Sequence, residues 1–430
     1  MICRNITVEG EHLYFAGRDT VELAQKYGTP LYLMDEQRLR ENCRMYRQAM
    51  EAQFARGLPL FASKALSCKR VYQIVAEEGL GTDVVSGGEL YMARLADFPM
   101  ERIYFHGSSK TDEEIRYGLR CGVGCFVVDN FDELRRLDEL AEEAGLRQKI
   151  LLRLTPGIDP HTFEAVATGR VDSKFGVAIE TGQAEQFVRE ALSLAHLELL
   201  GYHTHVGSQV FDSQVFYDAA DCMLEFMVQM RARLGYTASV LNLGGGYGVR
   251  YVEEDGFVDI AGEIGNVAAY LKRLCRREDY PEPMVLLEPG RSIVADAGMT
   301  LYTVQSVKRI PDYKNYVCVD GGMTDNPRYA LYQAPYTCYV ANKMDEANDF
   351  CASVVGRCCE SGDIIQENVS LPSSVCRGDI VAVCGTGAYN YTMASNYNRI
   401  PRPPIVMLHN GEHSVAVRRE SFADMCMNEL

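Results

Sequence analysis

No stretch of the 430-residue chain is long and uniformly apolar enough to span a membrane as a helix. The opening, MICRNITVEGEHLYF, has no basic segment followed by an apolar run and a small-residue cleavage site, so no secretory signal is expected. Cationic residues are in deficit: 43 Lys and Arg stand against 59 Asp and Glu, a formal charge of −16. This deficit excludes a nucleic-acid or anionic-membrane partner, because neither would meet an excess of positive charge. An anionic small molecule would have to be held by individual arginines. CxxC pairs are lacking too, although the chain has 15 cysteines. Scattered and odd in number, they suit neither a zinc site nor a disulfide framework, and the expectation is reduced thiols in a cytoplasmic protein without a metal. Low-complexity linkers and internal repeats are also missing.

The length and the 47% apolar content suit a barrel-sized domain plus a smaller one. Between residues 30 and 290, short apolar runs alternate with amphipathic stretches. The candidate strands are LYLMD (31–35), LFASK (60–64), TDVVS (82–86), IYFHG (103–107) and CFVVD (125–129). ILLRL (150–154), LLGYHTHVG (199–207), VLNLGGG (240–246) and MVLLEPG (284–290) continue the series. Between them, Leu39, Cys43, Tyr46 and Met50 share one helical face, as do Leu134, Leu137, Leu140 and Ala141. Thr111 and Glu114 form a capping box ahead of Ile115. This α/β alternation predicts parallel strands with helical crossovers, closed as a (β/α)8 barrel; an open doubly wound sheet is the alternative. From residue 291 to 430 the texture is short β-rich runs, LYTVQSVKR, YVCVDGG, SVVG and DIVAVCG. A second, all-β domain is expected there, also taking the strands of residues 1–29.

A barrel places function at the carboxyl ends of its strands. Lys64 ends LFASK, His205 follows LLGYHT, Gly244, Gly245 and Gly246 follow VLNL, and Glu288 to Arg291 close MVLLEPGR. Each alone is ordinary: a surface charge, a turn, a buried imidazole. Together they describe a site for a phosphorylated pyridine aldehyde. A lysine amine condenses with the aldehyde, glycines let backbone N–H groups approach a phosphate, and an imidazole stacks on the ring. A carboxylate keeps the ring nitrogen protonated, so the ring can take up electrons.

With FASKA, HTHVGSQ, NLGGGYG, EPGR, CESGD (359–363) and GAYNYTMASNYN in order over nearly the whole chain, the sequence resembles the alanine-racemase-like, fold type III pyridoxal-5′-phosphate-dependent decarboxylases. The resemblance implies that Lys64 is the cofactor lysine and His205 the stacking imidazole. Ser208, Gly245, Gly246 and Gly290 then lie by the cofactor, and Glu288 faces the ring nitrogen. Asp83 and Glu89 resemble supporting acids beneath the lysine, with Arg153 as partner of Glu89. Arg291 and Arg328 resemble a pair gripping a distal carboxylate, with Tyr332 at i+4 beside Arg328 and Tyr389 touching phosphate and substrate. Cys359 and Glu360 resemble a pair contributed by a second subunit, the thiol returning a proton and the carboxylate binding an ammonium. The resemblance thus implies a homodimer that decarboxylates a diamino diacid, meso-diaminopimelate, to L-lysine. Decarboxylation of ornithine, arginine or carboxynorspermidine is the alternative, followed by a non-catalytic pyridoxal-binding relative. Glu288 argues against a racemase, in which an arginine usually faces the ring nitrogen. Three segments depart from the family wording: KALS after the lysine, HGSSK at 106–110, and the 157–170 loop with Thr162 and Phe163. They bear on the mouth of the pocket.

Overall fold

The computed structural model describes residues 2–158 and 171–430, which form two compact units. One unit comprises residues 43–248 and 256–290, the other residues 2–42, 249–255 and 291–430. Among the described residues no helix is long and apolar enough to cross a membrane.

The first unit is a closed barrel of eight parallel strands: β1 (Gly57–Ala62), β2 (Gly81–Val84), β3 (Ile103–Phe105), β4 (Cys125–Val128), β5 (Gln148–Thr155), β6 (Leu197–His203), β7 (Val240–Asn242) and β8 (Met284–Leu287). Each pairs with the next, and β8 pairs with β1 to close the ring. Strands covered on both faces need apolar residues throughout, and β2, β3 and β4 are buried at every position. Leu60, Cys125, Val127, Leu151 and Leu286 cluster as core. The helical faces behave as expected: Leu39, Cys43, Tyr46 and Met50 are inaccessible on the helix Glu36–Gln53, and Leu134, Leu137, Leu140 and Ala141 on Phe131–Glu143 are at most 1% exposed. The Thr111–Glu114 capping box is formed at the start of the helix Asp112–Cys121.

The expected boundary at residue 30 moves. LYLMD, read as the first barrel strand, lies instead in the second unit, between Gly298–Ile310 (antiparallel) and Ile405–His409 (parallel). Once β8 pairs with β1, no free edge remains beside β1 for Leu31–Asp35; the two-residue strand Val177–Ala178 joins the sheet at the carboxyl end of β5. The second unit is otherwise the β-rich body expected. Its long strand Gly298–Ile310 also pairs with Lys314–Val319 and Ile380–Cys384. ITVEG and LYFAG contribute the hairpin Ile6–Glu9 and His12–Phe15. It carries helices as well, including Thr20–Tyr27 and the short Arg328–Tyr332.

Candidate active site

Every barrel strand delivers a polar side chain at or beyond its carboxyl end. Lys64 sits in the turn after β1, Asp83 in β2, His106 after β3 and Asp129 after β4. Arg153 lies in β5, His203 closes β6 with His205 two residues on, Asn242 closes β7, and Glu288 follows β8.

Ser63–Ala65 form one 3-10 turn in which Ser63 and Ala65 are buried and Lys64 is exposed. Two acids fix that turn. The Ser63 amide donates to Asp83 Oδ1 at 3.0 Å, and Ser63 Oγ donates to Glu89 Oε2 at 2.9 Å. The same Glu89 oxygen accepts the Val85 amide at 2.8 Å. Asp83 and Glu89 thus fix the turn that carries Lys64, and both also feel the charge of the lysine. Arg153 does not pair with Glu89 as expected. It faces Asp129 at 3.9 Å and lays its guanidinium over Phe175, 4.3 Å from the ring centre. The reason is strand order: β5 lies beside β4, which leads to Asp129, and the Glu89 oxygen is already engaged.

His205 and the glycine run are joined in one loop pair. Gly245 N–H donates to His205 Nδ1 at 3.3 Å, while Val210 N–H donates to Gly246 O and Gly248 N–H to Val210 O. Ser208 falls within this zipper. No side chain would fit: a Cβ at Gly245 would lie 2.0 Å from Glu288 O, and one at Gly246, where φ is +123°, 2.1 Å from Gly207 O. Gly290 is packed likewise, its absent Cβ 2.8 Å from Ala62 Cβ. The clash gives a direct expectation. Gly245→Ala must push two backbones apart, which should lower stability by about 1–3 kcal/mol, read as an earlier urea midpoint for the apoprotein. An unchanged midpoint would show that the loop has slack.

Glu288 is buried and surrounded by donors. Asn242 Nδ2 donates to Oε1 at 2.7 Å, and His203 Nε2 lies 3.1 Å from Oε2. His106 Nε2 is 2.7 Å from Oε1, off the line of a straight hydrogen bond. Burial opposes ionisation of Glu288, but the two imidazoles and their N–H contacts outweigh it and hold the carboxyl well below its usual range. Asp83 is pushed the other way, well above its usual range, by burial first and then by the charge of Glu288. The two carboxyls are thus pushed in opposite directions. His205 is held far below the ordinary imidazole range by burial, then by the cations Lys64 and Arg153, so its ring is neutral. The ligand atoms of His106, His203 and Glu288 lie within 4.8 Å of one another, close enough for a metal ion. The neighbouring charge of Arg153, felt by both imidazoles, works against a second cation there.

The second unit holds a separate cluster of cations and phenols. Arg328, 4% exposed, donates to Tyr336 Oη at 2.6 Å and lies over Tyr251, 4.8 Å from its ring centre. Arg291, 8% exposed, donates to Tyr251 Oη at 3.0 Å and lies over Tyr389 at 4.7 Å. Tyr336 Oη in turn donates to Asn390 Oδ1 at 3.1 Å. Among the described residues no carboxylate pairs with Arg328. The Arg328–Tyr332 stretch is helical, as the i, i+4 reading required, but the hydroxyl bonded to the guanidinium is that of Tyr336, not Tyr332.

Cys359 and Glu360 lie in an exposed turn, Cys359 anchored by its amide to Asn398 Oδ1 at 2.8 Å. Asp363 shapes the turn, accepting the amides of Met323 and Cys358 at 2.6 Å each. The two adjacent cysteines differ: Cys358 is half-buried, with a thiol pushed up to about 12 by burial and by Asp363, whereas Cys359 faces outward. Thr162 and Phe163 lie outside the described residues.

Sequence reasoning missed His106, His203, Asn242, Tyr251 and Tyr336. His106 could have been found by the strand-end rule that found Lys64. His203 stands two residues before His205, so both share one face of the strand path. Tyr251 carries no local signal.

A fixed acceptor in Glu288, a lysine at the barrel mouth, a side-chain-free loop and a neutral imidazole together fit pyridoxal phosphate. The family described as pyridoxal-dependent decarboxylase, pyridoxal binding domain, matches residues 36–295. Diaminopimelate decarboxylase of Bacillus subtilis (strain 168) is 45% identical over 419 residues, covering 97% of this chain and 95% of that protein. The crystal structure of diaminopimelate decarboxylase from M. jannaschii with L-lysine superposes at a TM-score of 0.91 with 32% identity, over 99% of this chain and 98% of that one. The Helicobacter pylori enzyme with L-lysine gives 0.86 and 30% identity, over 95% and 98%.

Proposed function

The chain belongs to the pyridoxal-dependent decarboxylase family, and from that premise we propose that it converts meso-diaminopimelate to L-lysine and carbon dioxide. The observation carrying the substrate assignment is the buried guanidinium of Arg328, bonded to a phenol and facing no carboxylate among the described residues. A buried cation without an acid is costly, and a substrate carboxylate relieves that cost. The activity accords with the curated relatives, which are named diaminopimelate decarboxylases.

Pyridoxal phosphate, when bound, supplies a protonated ring that takes up the electron pair left on Cα as carbon dioxide departs. Lys64 would hold its aldehyde, His205 its ring face, and Glu288 its ring nitrogen. Ser208, Gly245, Gly246 and Gly290 would border the phosphate. Arg291 and Arg328 bind the distal carboxylate through paired N–H···O bonds, with Tyr332 and Tyr389 as further contacts. Cys359 of the partner subunit returns a proton to Cα, and Glu360 of the partner subunit holds the distal ammonium. The working form is therefore a homodimer.

Purified protein with pyridoxal phosphate should release carbon dioxide from meso-diaminopimelate and form lysine, and do neither with ornithine, lysine or arginine. A site built for a carboxylate should reject substrates lacking it by about 10⁴-fold. Release from a monocarboxylic diamino acid alone would overturn the substrate assignment and leave the cofactor chemistry intact.

A further inference from the structure

Glu288 is gripped from three different strands. Asn242 at the end of β7 donates to Oε1, His203 at the end of β6 reaches Oε2, and His106 after β3 closes on Oε1. The two imidazole rings meet edge to face with centroids 4.7 Å apart, and both side chains are buried. Two cationic rings at that distance would repel, and Arg153 adds to the positive field. The pair therefore does not carry two charges, and His203, whose pKa burial lowers to about 4, is neutral and carries one N–H. His203 Nδ1 is buried and has no partner among the described residues. An N–H there would be left without an acceptor at the cost of its desolvation, so the proton belongs on Nε2, where it points at the carboxylate.

We propose that His203, seconded by Asn242 and His106, is a positioning residue that keeps Glu288 ionised and fixed as the acceptor for the cofactor's ring N–H. The inference rests on the pyridoxal-phosphate reading above. An ionised carboxylate accepts about four hydrogen bonds, so the grip leaves Glu288 capacity for one more donor. Without the grip, burial would push Glu288 toward its protonated form, which offers a donor where the ring N–H needs an acceptor. The neutral state of His203 agrees with this arrangement: burial lowers its pKa to about 4.

The test compares two ligands on the apoprotein: pyridoxal phosphate and its 1-deaza analogue, in which a C–H replaces the ring nitrogen. His203→Leu should weaken pyridoxal phosphate by about 10- to 100-fold, the worth of a hydrogen bond to a charged group. It should leave the deaza analogue within about twofold. His203→Gln, which retains an N–H donor of similar reach, should recover most of the lost affinity. Equal weakening of both ligands would reduce His203 to a packing residue and overturn the proposal. The unaltered chain offers an independent check through selectively 15N-labelled histidine: an imidazolium, or a proton on Nδ1, at His203 near neutral pH would also overturn it. Failure of the unaltered chain to bind pyridoxal phosphate at all would instead remove the reading beneath the proposal, and the proposal with it.

Discussion

Arg328→Ala is expected to lower kcat/KM for meso-diaminopimelate by about 100- to 1000-fold, since deleting one member of a desolvated, hydrogen-bonded charge pair costs some 2–5 kcal/mol. Lysine should not substitute. The guanidinium at Arg328 bonds Tyr336 while its face lies over Tyr251, and an ammonium copies neither the planar fork nor the stacking. Stability should respond differently from activity. Arg328 is buried among phenols with no acid paired to it among the described residues, so Arg328→Met exchanges an uncompensated charge for an apolar side chain of similar length. We expect the apoprotein carrying Arg328→Met to melt no lower than the unaltered protein while losing substrate capture. That opposition between stability and function marks a residue kept for binding. A fall of less than tenfold in kcat/KM would move the distal carboxylate elsewhere, and a large drop in melting temperature would make Arg328 a structural residue.

The parts legible in the sequence were those governed by local pattern. Alternating apolar runs and amphipathic periods announced the barrel, and strand ends announced Lys64, His205, the glycine run and Glu288. The boundary at residue 30 was not legible. The Leu31–Asp35 strand is buried at all five positions, like a barrel strand, because it is flanked on both sides within the other unit. A strand covered on both faces reads the same in either sheet. Partnerships were less legible still. Whether Arg153 meets Glu89 or Asp129 depends on which strands are neighbours. That Tyr251 meets Arg291 depends on residues 249–255 leaving the barrel unit between Gly248 and Gly256. Chemistry borne by single residue types at strand ends shows in one sequence; pairing across 40 or more residues, such as Tyr251 with Arg291, awaits the fold.

Mixing two inactive variants should restore activity. Lys64→Ala removes the group expected to hold the aldehyde, and its protein should lack the absorbance of the lysine-linked cofactor. Cys359→Ala should leave that absorbance intact but remove the group proposed to return a proton to Cα, a loss of about 100- to 10,000-fold in kcat, as for other positioned acids. Cys359 is exposed in its own chain, whereas Cys358 beside it is half-buried with a thiol pushed to about 12, so the outward-facing thiol is the one available to a neighbour. If each site joins Lys64 of one protomer to Cys359 of the other, a mixed dimer has one site with both lesions and one with neither. Random reassortment makes half of the dimers mixed, and half of their sites intact, so an equal mixture should reach about one quarter of unaltered activity. A Lys64→Ala, Cys359→Ala double variant mixed with unaltered protein gives the complementary result: its mixed dimers have two singly damaged sites and no intact one. If both groups served the same protomer, mixing the single variants would recover nothing, because every site would keep one lesion. Full activity in a dilute monomer would likewise place the partner's Cys359 and the partner's Glu360 outside the reaction.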